Sequence, residues 1–516
     1  MYFVGIDIGT TGSKAIVFDE KGNVAGSDYR EYGCLYPNPN WVEISGKNMI
    51  GETLGACKKA IWQSGINISD IVSIGFSTQR ATFGLVDKNG TLIDDIFYSW
   101  QDNRATDAVE FMLEKCSEIE SVTIAGMPVT TTYSASKMIW IKKHQPEKYR
   151  TIYKMVLIQD YLTKMLGADD YYCDRGSAAC TGMLDIRNGQ WSEKLIDAYE
   201  LNLDHMPKLV PPAYKIGVIS EEGSELSGLP VGLPLCTGTG DQQCGVIGAG
   251  AVRQGVGTMT VGTAGFLISF LNEPALGEPF KSMMSLEAGY AGKYEIEGIM
   301  LGAASNYKWF RDAFCELEKK IGAEKGIDPY VLMEEYVKET TVGANGIITL
   351  PHLGTAGCPF WNVEASGVIA GLTFSHTKGD VARSFMEGII LEIRNMYEAM
   401  KAADVVFDEI IITGGATKSP TWRQIMADVM NSKVKTLVVS DATVLGAAIL
   451  GAVGAGIYDT VPECVEALVK YDKVIEPIQE NVKKYNTIFE AYLKLYHAMD
   501  KGGAFSVLSS INKGLF

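Results

Sequence analysis

An α/β fold in two domains is predicted by three features of the sequence. Strand-like and helix-like runs alternate along the chain, 516 residues exceed what one hydrophobic core holds, and a glycine-hydroxyl turn near the start is echoed near the middle.

The first element is a strand in which Val4, Ile6 and Ile8 alternate with Gly5, Asp7 and Gly9, and Ile16, Val17 and Phe18 begin its partner. Between them lie Gly9, Thr10, Thr11, Gly12, Ser13 and Lys14: two glycines, three hydroxyl residues and a lysine. Glycines let a backbone approach an anion, and successive N–H groups with hydroxyls make an anion nest. Asp7 at the strand end suits a metal ion or its waters beside phosphate. An ordinary glycine-rich hairpin with a solvated Asp7 is the plain alternative. Further strands are read at 71–76, 82–86, 255–261, 346–350 and 409–413, and helices at 48–63, 106–115, 135–143, 301–315, 381–400 and 421–430. The apolar run 449–457 is short and rich in Gly and Ala, which fits a packed helix rather than a membrane span. The echo is Gly255–Gly265, again strand, glycine, hydroxyl, glycine, and it follows the glycine-rich stretch 238–250. The boundary is placed near Ala249, giving domains 1–248 and 249–516.

The chain carries 46 basic and 62 acidic side chains, a net charge of −16, which disfavours nucleic acid and anionic membrane as partners. A polyphosphate ligand must then be held by local N–H groups, Lys or Mg²⁺. Ten cysteines without a C-x-x-C spacing, and only five histidines, fit free thiols in a reducing cytoplasm rather than a structural metal. No signal peptide is read before Asp7, so the expected location is the cytoplasm.

Four more segments carry candidate chemistry. Ser77-Thr78-Gln79-Arg80 ends an apolar strand; Trp100-Gln101-Asp102-Asn103-Arg104-Ala105 clusters an aromatic, an acid and a base; Gly240-Asp241-Gln242-Gln243 sets an acid before a small-residue helix; Thr413–Pro420 is a strand-to-helix turn with Gly414 and Gly415. Taken singly, each has a plain structural reading. Gln79-Arg80 fits a surface loop, Asp102 and Arg104 a local ion pair, Asp241 an N-cap, and Gly414-Gly415 a turn. Their order in one chain is what points to phosphoryl transfer.

In that order the chain resembles the FGGY family of carbohydrate kinases over essentially its whole length. Matching segments include the N-terminal hairpin, Trp100–Ala105, Gly240–Gln243, Thr349–Pro351, Pro359–Trp361, Gly367–Leu372, Arg383–Gly388 and Thr413–Gln424. The resemblance implies a two-lobed actin-like ATPase fold of the ribonuclease H type, with a ligand cleft between the lobes. It implies that Asp241 takes a proton from the substrate hydroxyl. ATP and Mg²⁺ are the implied cofactors, with Asp7 organising Mg²⁺ through water. Thr10, Thr11, Ser13 and Lys14 would line the phosphate path, with Gly262 and Thr263 meeting it from the second lobe. Gly414, Gly415, Ala416 and Ser419 match the adenosine-side turn. Gln79, Arg80, Trp100, Asp102, Arg104 and Gln242 fall where the family recognises a polyhydroxy substrate, and Trp41 is a further candidate wall. The family's oligomers make a homodimer or homotetramer an expectation.

The substrate segment departs from familiar branches. Where glycerol kinases follow Gln-Arg with Glu, this chain has Ala81; the position of a glycerol-kinase Tyr five residues before Lys137 is Thr132; xylulokinases carry Gln-Met-His-Gly at the Gln79-Arg80 site. Trp309–Cys315 and Gly326–Tyr330 are similar to autoinducer-2 kinases. The expected activity is therefore phosphorylation of a small open-chain sugar or polyol, a pentulose such as xylulose leading. Autoinducer-2 and glycerol are the alternatives within the family, and a non-catalytic ATP-binding sugar sensor is the alternative of another class.

Overall fold

A computed structural model describes residues 1–514. The chain forms two compact units that do not follow one cut in the sequence. The first comprises Met1–Arg253, Phe270–Ile296 and Asp441–Lys470; the second comprises Gln254–Ser269, Glu297–Ser440 and the chain from Tyr471 onward.

The first unit is built on a mixed sheet with strand order Lys215–Val218, Pro234–Cys236, Ile71–Thr78, Tyr2–Ile8, Gly12–Asp19, Val24–Glu31, and Thr239–Gly240 also pairs with Ile71–Thr78. Tyr2–Ile8 is central, and its Phe3, Val4, Ile6 and Ile8 have no exposed surface. It pairs antiparallel with Gly12–Asp19, setting Asp7 opposite Lys14 and Ile8 opposite Ser13. The strand expected at 71–76 runs on to Thr78 and pairs in parallel with the first strand, so Ser77 lies beside Asp7. Helix Gly46–Ser64 covers this sheet, capped by Ser45, whose side chain accepts from Asn48 N, and ended by Gly65 at φ 64°. A second sheet orders Glu43–Ser45, Leu92–Tyr98, Phe83–Val86 and Lys154–Leu157.

The apolar run expected as a packed helix at 449–457 is helical as far as Gly454, in helix Ala442–Gly454, which lies on this first sheet. Glycines make the approach possible. Gly5 and Gly75 are register partners on adjacent strands, and an added Cβ would stand 2.2 Å from Val444 O and 1.8 Å from Ala447 O, respectively. The helix reciprocates: a Cβ on Gly446 would fall 1.9 Å from Cys244 O in helix Asp241–Gly248. Side chains at these positions would collide with backbone, which cannot move aside as a flexible side chain can.

In the second unit, strand Val256–Val261 pairs antiparallel with Gly265–Leu271 and parallel with Glu409–Thr413, and Lys433–Leu437 and Tyr471–Ile475 extend the sheet. Helix Lys378–Met400 is almost wholly buried and carries Arg383 and Glu387, whose side chains pair at 2.7 Å. All ten cysteines are free, and nine are buried. Among the described residues no helix is long and apolar enough to cross a membrane.

Candidate active site

The tight turn of the N-terminal hairpin is closed by Gly9 N donating to Gly12 O at 3.0 Å. Thr11 is exposed and Thr10 half-buried at its tip. Lys14 is half-exposed and donates to Asp441 Oδ1 at 2.5 Å. Ser13 departs from the expectation of a phosphate-lining residue. Its hydroxyl has no exposed surface and pairs with Thr53 Oγ1 at 2.6 Å, because successive strand residues point to opposite faces.

Asp7 accepts from Ser77 Oγ at 2.8 Å. Its carboxyl is pushed up to about 7, first by burial and then by the nearby charge of Asp241. A cation entering beside these carboxylates would relieve the cost, so the donor set fits a divalent ion. Among the described residues no trio of His, Cys, Asp or Glu stands ready to hold a metal alone. Phosphate oxygens and water would have to complete the coordination, as they commonly do for Mg²⁺.

Asp241 is the first residue of helix Asp241–Gly248, whose N-cap is Gly240. The N-cap reading therefore does not hold for Asp241. Its Oδ1 accepts from Gln242 N at 2.8 Å and lies 3.5 Å from Arg80 Nε. The carboxylate thus stands at a helix N-terminus beside a guanidinium, both of which attract an anion. Its side chain is about a third exposed at 31%, so it can be reached by a substrate. Gln242 beside it is half-buried.

The expected substrate residues divide into two groups. Arg80 lies beside Asp241, and Trp100 Nε1 donates to Thr10 Oγ1 at 2.9 Å, joining this segment to the phosphate hairpin. Gln79, Asp102 and Arg104 are instead buried and engaged with protein groups. Gln79 Nε2 donates to Gly9 O at 2.9 Å while its Oε1 accepts from Thr82 Oγ1 at 3.0 Å. Asp102 accepts from Val42 N at 2.6 Å and from Arg104 Nη2 at 2.7 Å. Arg104 also reaches Glu43 Oε1 at 2.7 Å and lies 3.9 Å over the Trp41 ring. Hydrogen bonds that already satisfy these groups leave them as braces beneath the Trp100 loop. Trp41 is itself part of that brace, packed edge-on to Trp140 at 5.1 Å.

In the second unit, Gly262 and Thr263 form the turn after Val256–Val261, and their carbonyls accept from Ala304 N at 2.8 Å and Ala303 N at 2.9 Å. Gly414 sits against this turn at φ 91°, with an added Cβ only 2.5 Å from Val261 O. Gly415 has open space on its Cβ side. It lines a cavity of about 500 Å³ together with Tyr307, Tyr330, Ala416, Ser419 and Trp422. Tyr307 stacks on Tyr330 at 5.8 Å and meets Trp422 edge-on at 5.1 Å. Glu334 locks the turn: it accepts from Ser419 Oγ at 2.6 Å and from Thr421 N at 3.0 Å. Glu334, Tyr330 and Tyr307 were not legible in the sequence, where they lie roughly 80 to 110 residues before the turn, whereas Trp422 follows it directly.

An α/β scaffold with a glycine-hydroxyl turn in each unit fits a nucleotide-dependent phosphotransferase, in which such turns hold phosphate. The chain belongs to the FGGY family of carbohydrate kinases: residues 2–248 match the family's N-terminal domain and residues 257–455 its C-terminal domain. It is 26% identical over 502 residues to the xylulose kinase of Bacillus subtilis strain 168, covering 97% of each chain. It is 27% identical over 500 residues to a gluconokinase of Bacillus licheniformis, covering 97% of this chain and 96% of that one. The crystal structure of xylulose kinase from Rhodospirillum rubrum superposes with a TM-score of 0.87 at 25% identity, over 97% of this chain and 99% of that chain. The protein is accordingly a phosphotransferase that uses ATP as donor and an alcohol group of a sugar or polyol as acceptor.

Proposed function

We propose that the enzyme transfers the γ-phosphoryl group of ATP to a hydroxyl of a small open-chain sugar, with a pentulose such as xylulose as the lead acceptor. The observation that carries this reading is the accessible Asp241 carboxylate at a helix start, 3.5 Å from Arg80. In the proposed reaction Asp241 accepts the proton of the attacking hydroxyl as the new P–O bond forms and ADP leaves. Arg80, Trp100 and Gln242 position the acceptor, while Gln79, Asp102 and Arg104 hold that wall rigid. Thr10, Thr11 and Lys14 are the phosphate-binding residues of the first unit, and Gly262 and Thr263 those of the second. Gly414, Gly415, Ala416 and Ser419 frame the nucleoside. Mg²⁺ held near Asp7 would neutralise phosphate charge. Ser13 supports the hairpin from behind through Thr53.

Ala81, buried and held at φ 59°, supports an acceptor other than glycerol, because no carboxylate side chain follows Arg80 here to bind hydroxyls. A sugar acid is a second reading with its own support. The Arg80 guanidinium can pair with a carboxylate, and a relative at 27% identity is named gluconokinase. A coupled assay with MgATP across xylulose, other pentuloses, gluconate, glycerol and autoinducer-2 separates these. Xylulose is expected to give the highest kcat/KM. A gluconate value more than about tenfold above it would replace the lead, a difference of about 1.4 kcal/mol in transition-state binding.

The aromatic cavity is the proposed base site. Tyr330→Ala removes one of its walls and is expected to raise the KM for ATP about tenfold while leaving the acceptor KM within about twofold. Initial rates with each substrate varied in turn check this, and an effect confined to the acceptor would refute the assignment.

A further inference from the structure

Asp441 stands at the start of helix Ala442–Gly454, yet it reaches Lys14 across 427 positions of sequence. The contact is Lys14 Nζ to Asp441 Oδ1 at 2.5 Å, with 34% and 31% of the side chains exposed. Lys14 is also the register partner of Asp7, so the two side chains share one face of the hairpin. The ammonium thus has carboxylates on two sides, one from its own hairpin and one from the start of helix Ala442–Gly454.

That helix is fixed with little freedom. Gly5 and Gly75 admit it to the strands beside Asp7, and Gly446 admits it to the helix that begins at Asp241. Asp441 makes no side-chain cap for its own helix. A pair exposed to this degree adds little to stability. Stability therefore gives a weak reason for its geometry, whereas orientation of the lysine gives a direct one.

We infer that Asp441 is a positioning residue for phosphoryl transfer, holding the Lys14 ammonium where the transferring phosphoryl group will stand. The inference rests on the reading above that Lys14 meets nucleotide phosphate. It has a signature that a merely structural role lacks. Asp441→Asn removes a negative charge from beside the lysine, so nucleotide binds more tightly. The same change frees the lysine to wander, so turnover slows.

The test uses the full-length enzyme with MgADP binding by calorimetry and kcat from the acceptor assay, in wild type, Asp441→Asn, Lys14→Met and the double variant. Asp441→Asn is expected to tighten MgADP about threefold and to lower kcat about tenfold, with the thermal midpoint unchanged. In the Lys14→Met background it is expected to change neither quantity by more than about twofold, because its effect passes through that lysine. Equal losses of affinity, turnover and thermal midpoint would overturn the inference in favour of a structural role. Undiminished effects in the Lys14→Met background would overturn it in favour of an independent one. Wild-type MgADP binding and turnover that Asp441→Asn leaves unaltered would overturn this inference alone. Absence of MgADP binding by the wild type would overturn it together with the reading on which it rests.

Discussion

Asp241→Asn is expected to lower kcat by about 10²–10⁴-fold while leaving the affinity for MgATP within about threefold, because a positioned general base contributes on that scale. The asparagine keeps the shape of the side chain and its contact with Gln242 N but cannot accept a proton. Arg80 lies 3.5 Å from the carboxylate and stays in place, so the acceptor should still bind. Single-turnover rates at saturating substrate, with nucleotide affinity measured separately, check the two halves of the expectation. Near-normal turnover in Asp241→Asn would remove the carboxylate from the reaction. Loss of nucleotide affinity would make it a binding residue instead.

The second large effect falls on stability. Gly75→Ala places a methyl group 1.8 Å from Ala447 O, where neither backbone can yield without separating helix Ala442–Gly454 from the sheet. Overpacking of this kind costs on the order of 3 kcal/mol, which lowers the thermal midpoint of a domain this large by several degrees. Gly51→Ala is the control. Gly51 is an exposed position on the outer face of helix Gly46–Ser64 with nothing within 4 Å of an added Cβ, so the change should be neutral or stabilising by up to about 1 kcal/mol. Thermal unfolding of both variants by circular dichroism decides it. Equal midpoints would show that the helix tolerates displacement.

These two experiments touch what was and was not legible in the sequence. The hairpin was readable because its alternation has period two, and the same alternation sets Ser13 and Lys14 on opposite faces. Ser13 was placed in the phosphate path by its hydroxyl and the family resemblance; strand geometry turns it to Thr53. Asp241 was readable as an acid at a helix start, although only the backbone shows that Gly240, not Asp241, caps that helix. Asp102 and Arg104 have the chemistry of a polyol-binding pair. Their burial under Trp41 and beside Val42 and Glu43 depends on a strand some 60 residues earlier, which no local pattern reveals. The return of helix Ala442–Gly454 to the N-terminal sheet is non-local in the same way. Its glycines show in the sequence as small residues, but their partners, Gly5, Gly75 and Cys244, come from three distant segments.

The most direct measurement is ³¹P NMR of the wild-type enzyme with MgATP and xylulose. Transfer to the sugar is expected to give ADP and a phosphomonoester in equal amounts, absent without the sugar and absent with Asp241→Asn over the same time. ADP with inorganic phosphate, formed at the same rate whether or not any sugar or polyol is present, would contradict it.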